Sequence, residues 1–483
     1  MNSLPRSLRF AWQLPRVVYA SLSAILIAAV LCKMAVHHSF DTNEGWNAYW
    51  ADAAWSGNNL YPSSDSLTLN NYLPLWFYAT GSLGRLIADN IQAGRILAGV
   101  ALLANAVAIS VIVRELTGRG RDCWFAGAAF LVIFGLFYGH YAAINDPQIA
   151  ANCCMTLALL LFIRRLDDGP ARAALVAVPL MLLAGLLKYS ALAVPISVAI
   201  WLLVYQRTAF PIFAIVSAAG LTIACAVLYL LHGPSLFASV LLSRPYSPMD
   251  ALVQTGYQLA RYSLLLIAIA WLAWRPNAKA KLILIYSVVS LIQGLVFSGG
   301  ADVDVNVFFD FAAAVSISLG LMQSAIADKV ERAEAKSRPG LLLSAWLAIC
   351  LIPPTVALPS GWDEGRTAFD AMTNSQQADF ALIKPVAGRI ACENLAFCYW
   401  LGKAFEVDLN NLKTLIAARP DLERSFIARL ESCSYALIQL DDDWEDHEGP
   451  LTNAIRDALK LHYKQTETTD DGVYWVPSLC NAA

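Results

Sequence analysis

The sequence predicts an α-helical polytopic membrane protein with a small soluble α/β domain at its C-terminal end. Hydrophobic residues occupy 58% of the 483 positions, and the mean hydropathy is +0.52. These values exceed what the core of a soluble protein needs, and the apolar residues come in long runs. Residues 1–357 hold 23 Lys and Arg against 17 Asp and Glu, whereas residues 358–483 hold 11 against 20. We therefore predict a membrane domain over 1–357 and an acidic soluble domain over 358–483.

Eleven apolar runs have about the length of membrane-spanning helices. They cover residues 17–36, 92–113, 122–139, 149–163, 172–187, 190–205, 209–231, 260–274, 280–297, 307–326 and 340–358. Several runs are short, so the same pattern is compatible with tilted, broken or merged spans. The first run follows arginines and lacks a small-residue cleavage site, which is typical of an uncleaved anchor.

Basic residues mark alternate connections between these runs. They are Arg6, Arg9 and Arg16; Arg114, Arg119 and Arg121; Arg164, Arg165 and Arg172; Arg207; Arg275, Lys279 and Lys281; and Lys329, Arg332, Lys336 and Arg338. Basic connections are typically cytoplasmic, so the loops 37–91, 140–148, 232–259 and 298–306 and the tail are expected on the opposite face. This alternation requires YLPLWFYATGSLGRLI (72–87) to be an interfacial helix rather than a further span. We expect a bacterial inner membrane, with the tail in the periplasm.

The tail is expected to begin where Pro353, Pro354 and Pro359 end the last span. GRIACEN, KAFEVDL and YALIQLD predict short strands, and NLKTLIAARP and NAIRDALKLHY predict helices. The acidic segment 441–448 is interpreted as a solvated loop, with a metal or partner site as the alternative. Together these segments predict a small α/β domain.

Four of the ten cysteines lie in the tail, at Cys392, Cys398, Cys433 and Cys480. An even number of cysteines in an oxidising compartment allows two disulfides, in any of three pairings. Closeness in sequence favours a bond between Cys392 and Cys398.

Acidic side chains gather at the outward ends of the apolar runs. Charge there is costly unless it faces water, a substrate or a cation. Asp41 and Glu44 follow the first run three residues apart, so on a helical turn they share one face. Asp146 precedes Pro147 where the fourth run begins, and it also suits a helix N-cap. We treat these three acids as candidate catalytic residues.

A further acidic patch and several cations belong to the same outward face. The patch follows a Gly pair in the loop 298–306 and contains Asp302, Asp304 and Asn306, although Gly-Gly-Ala-Asp is also ordinary turn chemistry. The outward cations are Lys188, Arg244 and Arg261. Carboxylates and cations around one membrane-edge cavity suit a substrate that combines a sugar, a phosphate and a lipid tail. A carboxylate would deprotonate an acceptor hydroxyl, and the cations would stabilise the phosphate leaving group.

The order of motifs resembles that of the GT-C glycosyltransferases. A long first outward loop opens with acids in FDTNEGWNAYWADAAW (40–55) and continues through LYP to NNYLPLWFY (70–78). An acid then follows in the second outward loop, GHYAAINDPQIAANC (139–153). These motifs look most similar to the protein-mannosyltransferase and aminoarabinose-transferase-like group, glycosyltransferase family 39-like. LLKYS (186–190) and SGGADVDVN (298–306) resemble later segments of that group, and the resemblance covers about residues 10–357.

The resemblance implies transfer of a sugar, with inversion, from a polyprenyl-phosphate-sugar donor on the side opposite the cytoplasm. The first-loop carboxylate of the family is the base, and that role maps to Asp41 or Glu44. Many relatives have an Asp-Glu pair where this chain has Asn43 and Glu44, with Asp41 two residues before Asn43, so the choice stays open. Asp146 corresponds to the second-loop acid that positions the substrate. The family generally needs no metal, so no cofactor is expected, with a divalent cation as the less favoured alternative.

Further residues are expected to bind the substrate. Trp46 and Tyr49 would line the mouth of the cavity, and the phosphate would meet the cations; the full set is Lys188, Arg244, Arg261, Tyr49, Trp46, Asn71, Asp304 and Asn306. The expected partners are the lipid-linked donor, an acceptor that is a glycan, a lipid or a protein, and membrane lipids, with no nucleic acid.

Two other functions fit parts of the pattern. A transporter or flippase of a lipid-linked saccharide explains charges at a cavity, but it predicts acids near the midplane and repeated halves, and neither is visible in the sequence. A non-catalytic scaffold whose tail binds a cell-envelope partner would leave Asp41, Glu44 and Asp146 free to change.

Overall fold

The computed structural model describes residues 6–480 apart from 121, 243, 302, 333–338, 374–375, 443–448 and 450. Asp302 and most of the acidic segment 441–448 therefore lie outside the described residues. The first fifteen helices are α1 (Arg6–Ala35), α2 (Thr42–Ser56), α3 (Leu75–Ile87), α4 (Asn90–Thr117), α5 (Trp124–Phe137), α6 (Gln148–Arg165), α7 (Pro170–Leu187), α8 (Ala193–Tyr205), α9 (Phe210–His232), α10 (Pro234–Val240), α11 (Pro248–Tyr262), α12 (Leu266–Ala273), α13 (Ala278–Phe297), α14 (Phe309–Arg332) and α15 (Pro339–Thr373). Short 3-10 helices cover Gly139–Tyr141, Leu166–Asp168 and Val305–Phe308.

Eight helices among the described residues are long and apolar enough to cross a membrane, and α11 with α12 adds a ninth if the two form one broken span. Helices α5 and α8 are shorter and apolar. All eleven predicted runs fall on these helices, so the predicted membrane fold class is confirmed. The run 260–274 is not one straight helix, because α11 and α12 meet at an angle of 87°.

Helix α15 passes through all three prolines that were expected to end it. Pro354 has no N–H to donate to the carbonyl of Cys350 one turn earlier. The hydroxyl of Tyr19 in α1 donates to that carbonyl instead, at 2.9 Å. Because a neighbouring helix satisfies the freed carbonyl, the helix continues to Thr373. The prolines therefore do not end the helix, although its apolar stretch of membrane-spanning length, Gly340–Pro359, ends at the last of them. The expected domain boundary at 357/358 falls inside α15.

The described part of the tail contains five helices around one small sheet. The helices are α16 (Gln377–Ile383), α17 (Leu395–Trp400), α18 (Leu409–Ala418), α19 (Asp421–Glu431) and α20 (Asn453–His462), and the strands are β1 (Ile390–Cys392), β2 (Leu437–Leu440), β3 (Tyr463–Thr468) and β4 (Val473–Pro477). The strand order is β1-β2-β4-β3. Strands β1 and β2 are parallel, with Ile390 opposite Leu437, whereas β4 is antiparallel to both β2 and β3.

The structure confirms strands within GRIACEN and YALIQLD and helices at the two predicted segments of the tail. The strand predicted for KAFEVDL is wrong. Its Val407 is buried, and the N–H of Asp408 donates to the carbonyl of Leu67 at 2.9 Å, so the segment is held by the first outward loop rather than by the sheet. The hairpin of β3 and β4 was not predicted, because most of β3 is exposed and polar and shows no apolar alternation.

Two disulfides close the tail. Cys392 at the end of β1 is bonded to Cys398 in α17, and Cys433 after α19 is bonded to Cys480. The favoured pairing of Cys392 with Cys398 is therefore confirmed.

The tail packs directly on α2. A Cβ atom on Gly45 would stand 2.1 Å from the backbone nitrogen of Ala396, so only glycine lets α17 approach this closely. One turn further along α2, the hydroxyl of Tyr49 donates to the carbonyl of Lys403 at 2.7 Å, and its ring stacks on Phe405. The first outward loop and the tail are thus in direct contact.

Candidate functional site

A cavity of about 280 Å³ lies where the outward loops meet the tail. The first loop contributes Thr42, Asn43, Trp46, Asn71 and Tyr72; the second contributes Tyr141, Asp146 and Gln148; the turn after α7 contributes Lys188, Tyr189 and Ser190; the segment from α10 to α14 contributes Arg244, Phe297, Val303, Asp304, Asn306 and Val307; and the tail contributes Asn410 and Asn411. Seven of the eleven predicted site residues line this cavity.

Asp41 stands at the N-terminus of α2, beside the lining residues Thr42 and Asn43. Its Oδ1 accepts a hydrogen bond from the N–H of Asn43 at 2.8 Å, which makes it the N-cap. Burial raises the pKa of Asp41 to about 6; the Asn43 N–H opposes this rise, and the carboxylates of Glu44 and Asp146 add to it. A carboxyl with this pKa is ionised at neutral pH and still binds a proton readily.

Glu44 is fully buried and does not line the cavity. Its carboxylate accepts from Nε of Arg95 at 2.7 Å and from Nη2 at 2.5 Å, and Arg95 is equally buried. The N–H groups of Phe40 and Asn145 also donate to it. Glu44 therefore connects α2 to α4 and to the second outward loop, and both of its carboxylate oxygens already accept hydrogen bonds from the protein.

Asp146 enters the cavity at the start of α6. It is 3% exposed, and its Oδ1 accepts from the N–H of Gln148 at 2.8 Å. The preceding residue, Asn145, fits against Gly94 of α4, where a Cβ atom would stand 1.9 Å from the amide oxygen. Asn47 of α2 donates to the carbonyl of Asn145 at 2.7 Å. Asp146 thus lines the cavity, whereas the N-cap residue of α6 is Pro147 and not Asp146 as expected.

Two of the three predicted cations meet in this cavity. Nζ of Lys188 lies 3.6 Å from the centre of the Tyr72 ring. Burial lowers the pKa of Lys188, and the nearby carboxylate of Asp146 opposes the change. Nη1 of Arg244 donates to the carbonyl of Ala301 at 3.2 Å. A phosphate in the cavity would meet both positive groups.

The fourth outward loop, 298–306, brings in Asp304 and Asn306. Asp304 accepts a hydrogen bond from the hydroxyl of Tyr141 at 2.9 Å, and Nε2 of His140 lies 3.5 Å from its carboxylate. Burial alone would raise the pKa of Asp304, but the hydrogen bonds from His140, the Val305 N–H and Tyr141 outweigh it and lower the pKa. Asp304 is therefore an acceptor of hydrogen bonds rather than a proton donor.

Trp46 and Asn71 line the cavity as predicted. The indole N–H of Trp46 donates to Oδ2 of Asp408 at 2.9 Å and to the carbonyl of Leu69 at 3.2 Å, so the tail fixes its ring. Tyr49, about one turn beyond Trp46 on α2, does not line the cavity, and its hydroxyl donates to the carbonyl of Lys403 in the tail.

Arg261 is also outside the main cavity. Its Nη1 donates to the carbonyl of Phe137 at 3.1 Å and its Nη2 to the hydroxyl of Tyr257 at 2.7 Å. It lines a second, apolar cavity between α5, α11 and α15.

Several residues that line the cavity were not predicted from the sequence. Asn410 and Asn411 come from the tail, and their amide groups donate to the carbonyl of Glu393 and to Oδ2 of Asp408. Gln148 is 1% exposed, and its Oε1 has no hydrogen-bond partner within the described part of the chain. Among the described residues, no three His, Cys, Asp or Glu side chains gather as metal ligands would.

The fold is similar to that of solved ArnT structures. No family model matches the sequence, and no curated protein matches it either. ArnT from Cupriavidus metallidurans aligns over 97% of this chain and 99% of its own in two structures. The apo structure has 14% identity and a TM-score of 0.62, and the structure bound to undecaprenyl phosphate has 12% and 0.59. The Archaeoglobus fulgidus oligosaccharyltransferase, tethered to an acceptor peptide, aligns over 95% of this chain and 74% of its own, with 11% identity and a TM-score of 0.50.

Proposed function

We propose that the protein is a membrane glycosyltransferase that moves a sugar from a polyprenyl-phosphate-linked donor to an acceptor hydroxyl. The observation that carries the proposal is the cavity itself, which combines Asp146 with Lys188 and Arg244 and has Asp41 at its edge. The whole-length similarity to ArnT, solved with undecaprenyl phosphate, supports the choice of donor class.

In the proposed reaction, Asp41 is the general base. Its carboxylate accepts the proton of the acceptor hydroxyl as the hydroxyl oxygen attacks the anomeric carbon of the sugar. The new C–O bond forms on the face opposite the phosphate, so the configuration inverts. The bond between the anomeric carbon and the phosphate oxygen breaks, and its electron pair leaves with the polyprenyl phosphate. Glu44 is not assigned this role, because Arg95 occupies its carboxylate.

Lys188 and Arg244 stabilise the charge that develops on the leaving phosphate. Asp146 orients the reacting groups beside the two cations, and the proposal includes no metal ion. Trp46, Asn71, Asp304 and Asn306 line the rest of the cavity and present an aromatic face and polar groups suited to sugar hydroxyls.

The reaction is assigned to the extracytoplasmic face of a bacterial inner membrane. The two disulfides of the tail support an oxidising compartment for the cavity side of the molecule. The acceptor is a glycan, a lipid or a protein that reaches the cavity between the tail and the membrane.

The test is transfer of a radiolabelled sugar by the purified full-length protein, offered a panel of polyprenyl-phosphate sugars and an envelope extract as acceptor. Transfer with release of polyprenyl phosphate supports the proposal. Absence of turnover with every donor, together with movement of the intact lipid-linked sugar across proteoliposomes, would replace it with the flippase function.

A further inference from the structure

Four buried polar side chains line the main cavity without a hydrogen-bond partner among the described residues. They are Asn71, Gln148, Ser190 and Asn306, and none is more than 9% exposed. A buried polar group that lacks a partner is destabilising, so folded proteins keep few of them. Four such groups around one cavity therefore indicate a bound molecule that completes their hydrogen bonds.

Gln148 is the most deeply buried of the four. It is the first residue of α6 and is 1% exposed, and its Oε1 is buried without a partner in the described part of the chain. The N–H of Gln148 donates to Oδ1 of Asp146 at 2.8 Å. Asp146 thus fixes the backbone at this point, while the amide of Gln148 stays available to a ligand.

All four side chains are neutral, and this limits the class of ligand. Three are carboxamides, which offer both N–H donors and a carbonyl acceptor, and the fourth is a hydroxyl. Sugar hydroxyls also donate and accept, so each of them can pair with a carboxamide. An ammonium group only donates and is best met by a carboxylate, whereas a carboxylate on the ligand only accepts and is best met by a cation. The four side chains therefore match an uncharged sugar better than an aminated or carboxylated one.

The carboxylates of the cavity have other partners or roles. Asp304 accepts a hydrogen bond from the hydroxyl of Tyr141 at 2.9 Å. Asp146 is within the electrostatic influence of Lys188, so the protein itself supplies a counter-charge. The proposed reaction uses Asp41, at the edge of the cavity, for the proton of the acceptor. The described residues that line the cavity hold no further carboxylate to balance an ammonium group on the sugar.

We propose that the donor carries an uncharged sugar and that Gln148 is a specificity-determining residue, whose amide hydrogen-bonds to one hydroxyl group of that sugar. Asn71 and Asn306 bind further hydroxyls of the same sugar. This inference rests on the proposed function, because it takes the ligand to be the sugar of the lipid-linked donor. Binding and transfer are measured separately, so that either can fail alone.

The variant Gln148→Met removes the amide and keeps a side chain of similar length. Because the amide oxygen has no partner in the described part of the protein, the midpoint of thermal unfolding should not fall. Gln439→Met is the matched control. Gln439 is fully buried in β2, accepts from the N–H of Asn394 at 2.9 Å and donates to Asp441 at 3.0 Å. Its replacement should lower the midpoint and leave sugar selectivity unchanged.

Sugar binding is measured on the purified full-length protein in detergent. The ligands are polyprenyl-phosphate glucose, mannose and galactose, the monodeoxy analogues of whichever binds best, and aminated and carboxylated donors. We expect the wild type to bind a neutral donor best and one of its monodeoxy analogues about 10–100-fold more weakly, because the amide then stays unpaired. In Gln148→Met this difference should shrink to about threefold or less, whereas Gln439→Met should keep it.

A wild type that binds an aminated or carboxylated donor best would overturn the uncharged sugar. A Gln148→Met variant that keeps the wild-type discrimination at every hydroxyl, or whose unfolding midpoint falls as far as that of Gln439→Met, would overturn the role of Gln148. If Gln148→Met does not fold, Gln148→Glu decides. Its carboxylate should raise the affinity for the aminated donor relative to the neutral one about tenfold, and an unchanged preference contradicts the inference.

The same proteins separate this inference from the proposed function. Binding of a neutral donor with the expected discrimination but without transfer contradicts the proposed function and leaves the inference standing. Transfer from a charged donor alone contradicts the inference and leaves the proposed function standing. A wild type that binds no lipid-linked sugar contradicts both.

Discussion

Asp41 and Glu44 stand three residues apart at the beginning of one helix, and their surroundings separate their roles. The buried ion pair with Arg95 makes Glu44 part of the scaffold that joins α2 to α4. Asp41 is half-buried at the helix N-terminus, within the electrostatic influence of Asp146 and without a cation bonded to it among the described residues. A general base needs an available lone pair, and this difference favours Asp41.

The pKa of Asp41 predicts how activity depends on pH. Below about pH 6 the carboxyl is protonated and cannot accept a proton, so kcat/KM should rise as pH increases through about 6. Burial lowers the pKa of Lys188, so activity should fall at high pH before an ordinary lysine would titrate. The measurement is kcat/KM against pH. A flat profile between pH 5 and 7 would contradict the role of Asp41.

The Glu44–Arg95 pair makes a separate prediction about stability. Glu44→Gln leaves the buried guanidinium of Arg95 without its counter-charge, which should cost about 3–5 kcal/mol. Thermal unfolding in detergent should show a clearly lower midpoint for Glu44→Gln and for Arg95→Gln. Asp168→Asn, which removes an exposed pair with Arg165, is the matched control and should change the midpoint little. Equal midpoints for buried and exposed variants would contradict a scaffold role.

At the scale of elements, the contact between α2 and α17 holds the tail over the cavity. It depends on Gly45, because a side chain there would collide with backbone rather than with a flexible side-chain end. The Cys392–Cys398 bond joins α17 to the sheet, so a displaced α17 would disturb the tail around it. Trp46 lies one residue further along α2, and its indole N–H donates both to Asp408 of the tail and to the carbonyl of Leu69.

Gly45→Ala should therefore weaken the docking of the tail. We expect a loss of about 1–3 kcal/mol, as for other overpacked sites, together with faster limited proteolysis of the tail. Gly256→Ala is the control, because its Cβ atom meets no heavy atom within 4 Å in α11. The prediction is wrong if the two alanine variants resist protease equally well.

The elements also show what the sequence could and could not predict. The apolar runs predicted the membrane helices correctly, because a helix in lipid needs an apolar composition more than it needs particular contacts. Local sequence did not predict that the helix continues past Pro354. The hydroxyl of Tyr19, more than 300 residues away in sequence, replaces the N–H that proline lacks. Strand β3 was also not predicted, because an exposed polar strand shows no alternation of apolar and polar residues.

At the scale of the whole molecule, the cavity assembles five separated segments of the chain. Asp146, Lys188, Arg244 and Asp304 could be predicted because a charge at the outward end of an apolar run is unusual enough to notice. Asn410 and Asn411 could not, because neutral amides at a helix start in the tail are ordinary. The partner of Glu44 was hidden as well, since Arg95 lies inside a run that was predicted to span the membrane. Contacts such as the Glu44–Arg95 pair form only in the folded chain and cannot be predicted from the local sequence pattern.

The most direct measurement compares Asp41→Asn and Glu44→Gln in sugar transfer, with each rate divided by the folded fraction and with donor binding measured in parallel. We expect Asp41→Asn to lower kcat by about 10²–10⁴-fold while donor binding stays close to that of the wild type. Folded Glu44→Gln should keep most of its turnover. An Asp41→Asn enzyme with near wild-type kcat, or a folded Glu44→Gln enzyme that has lost turnover while it still binds donor, would contradict the assignment of Asp41 as the base.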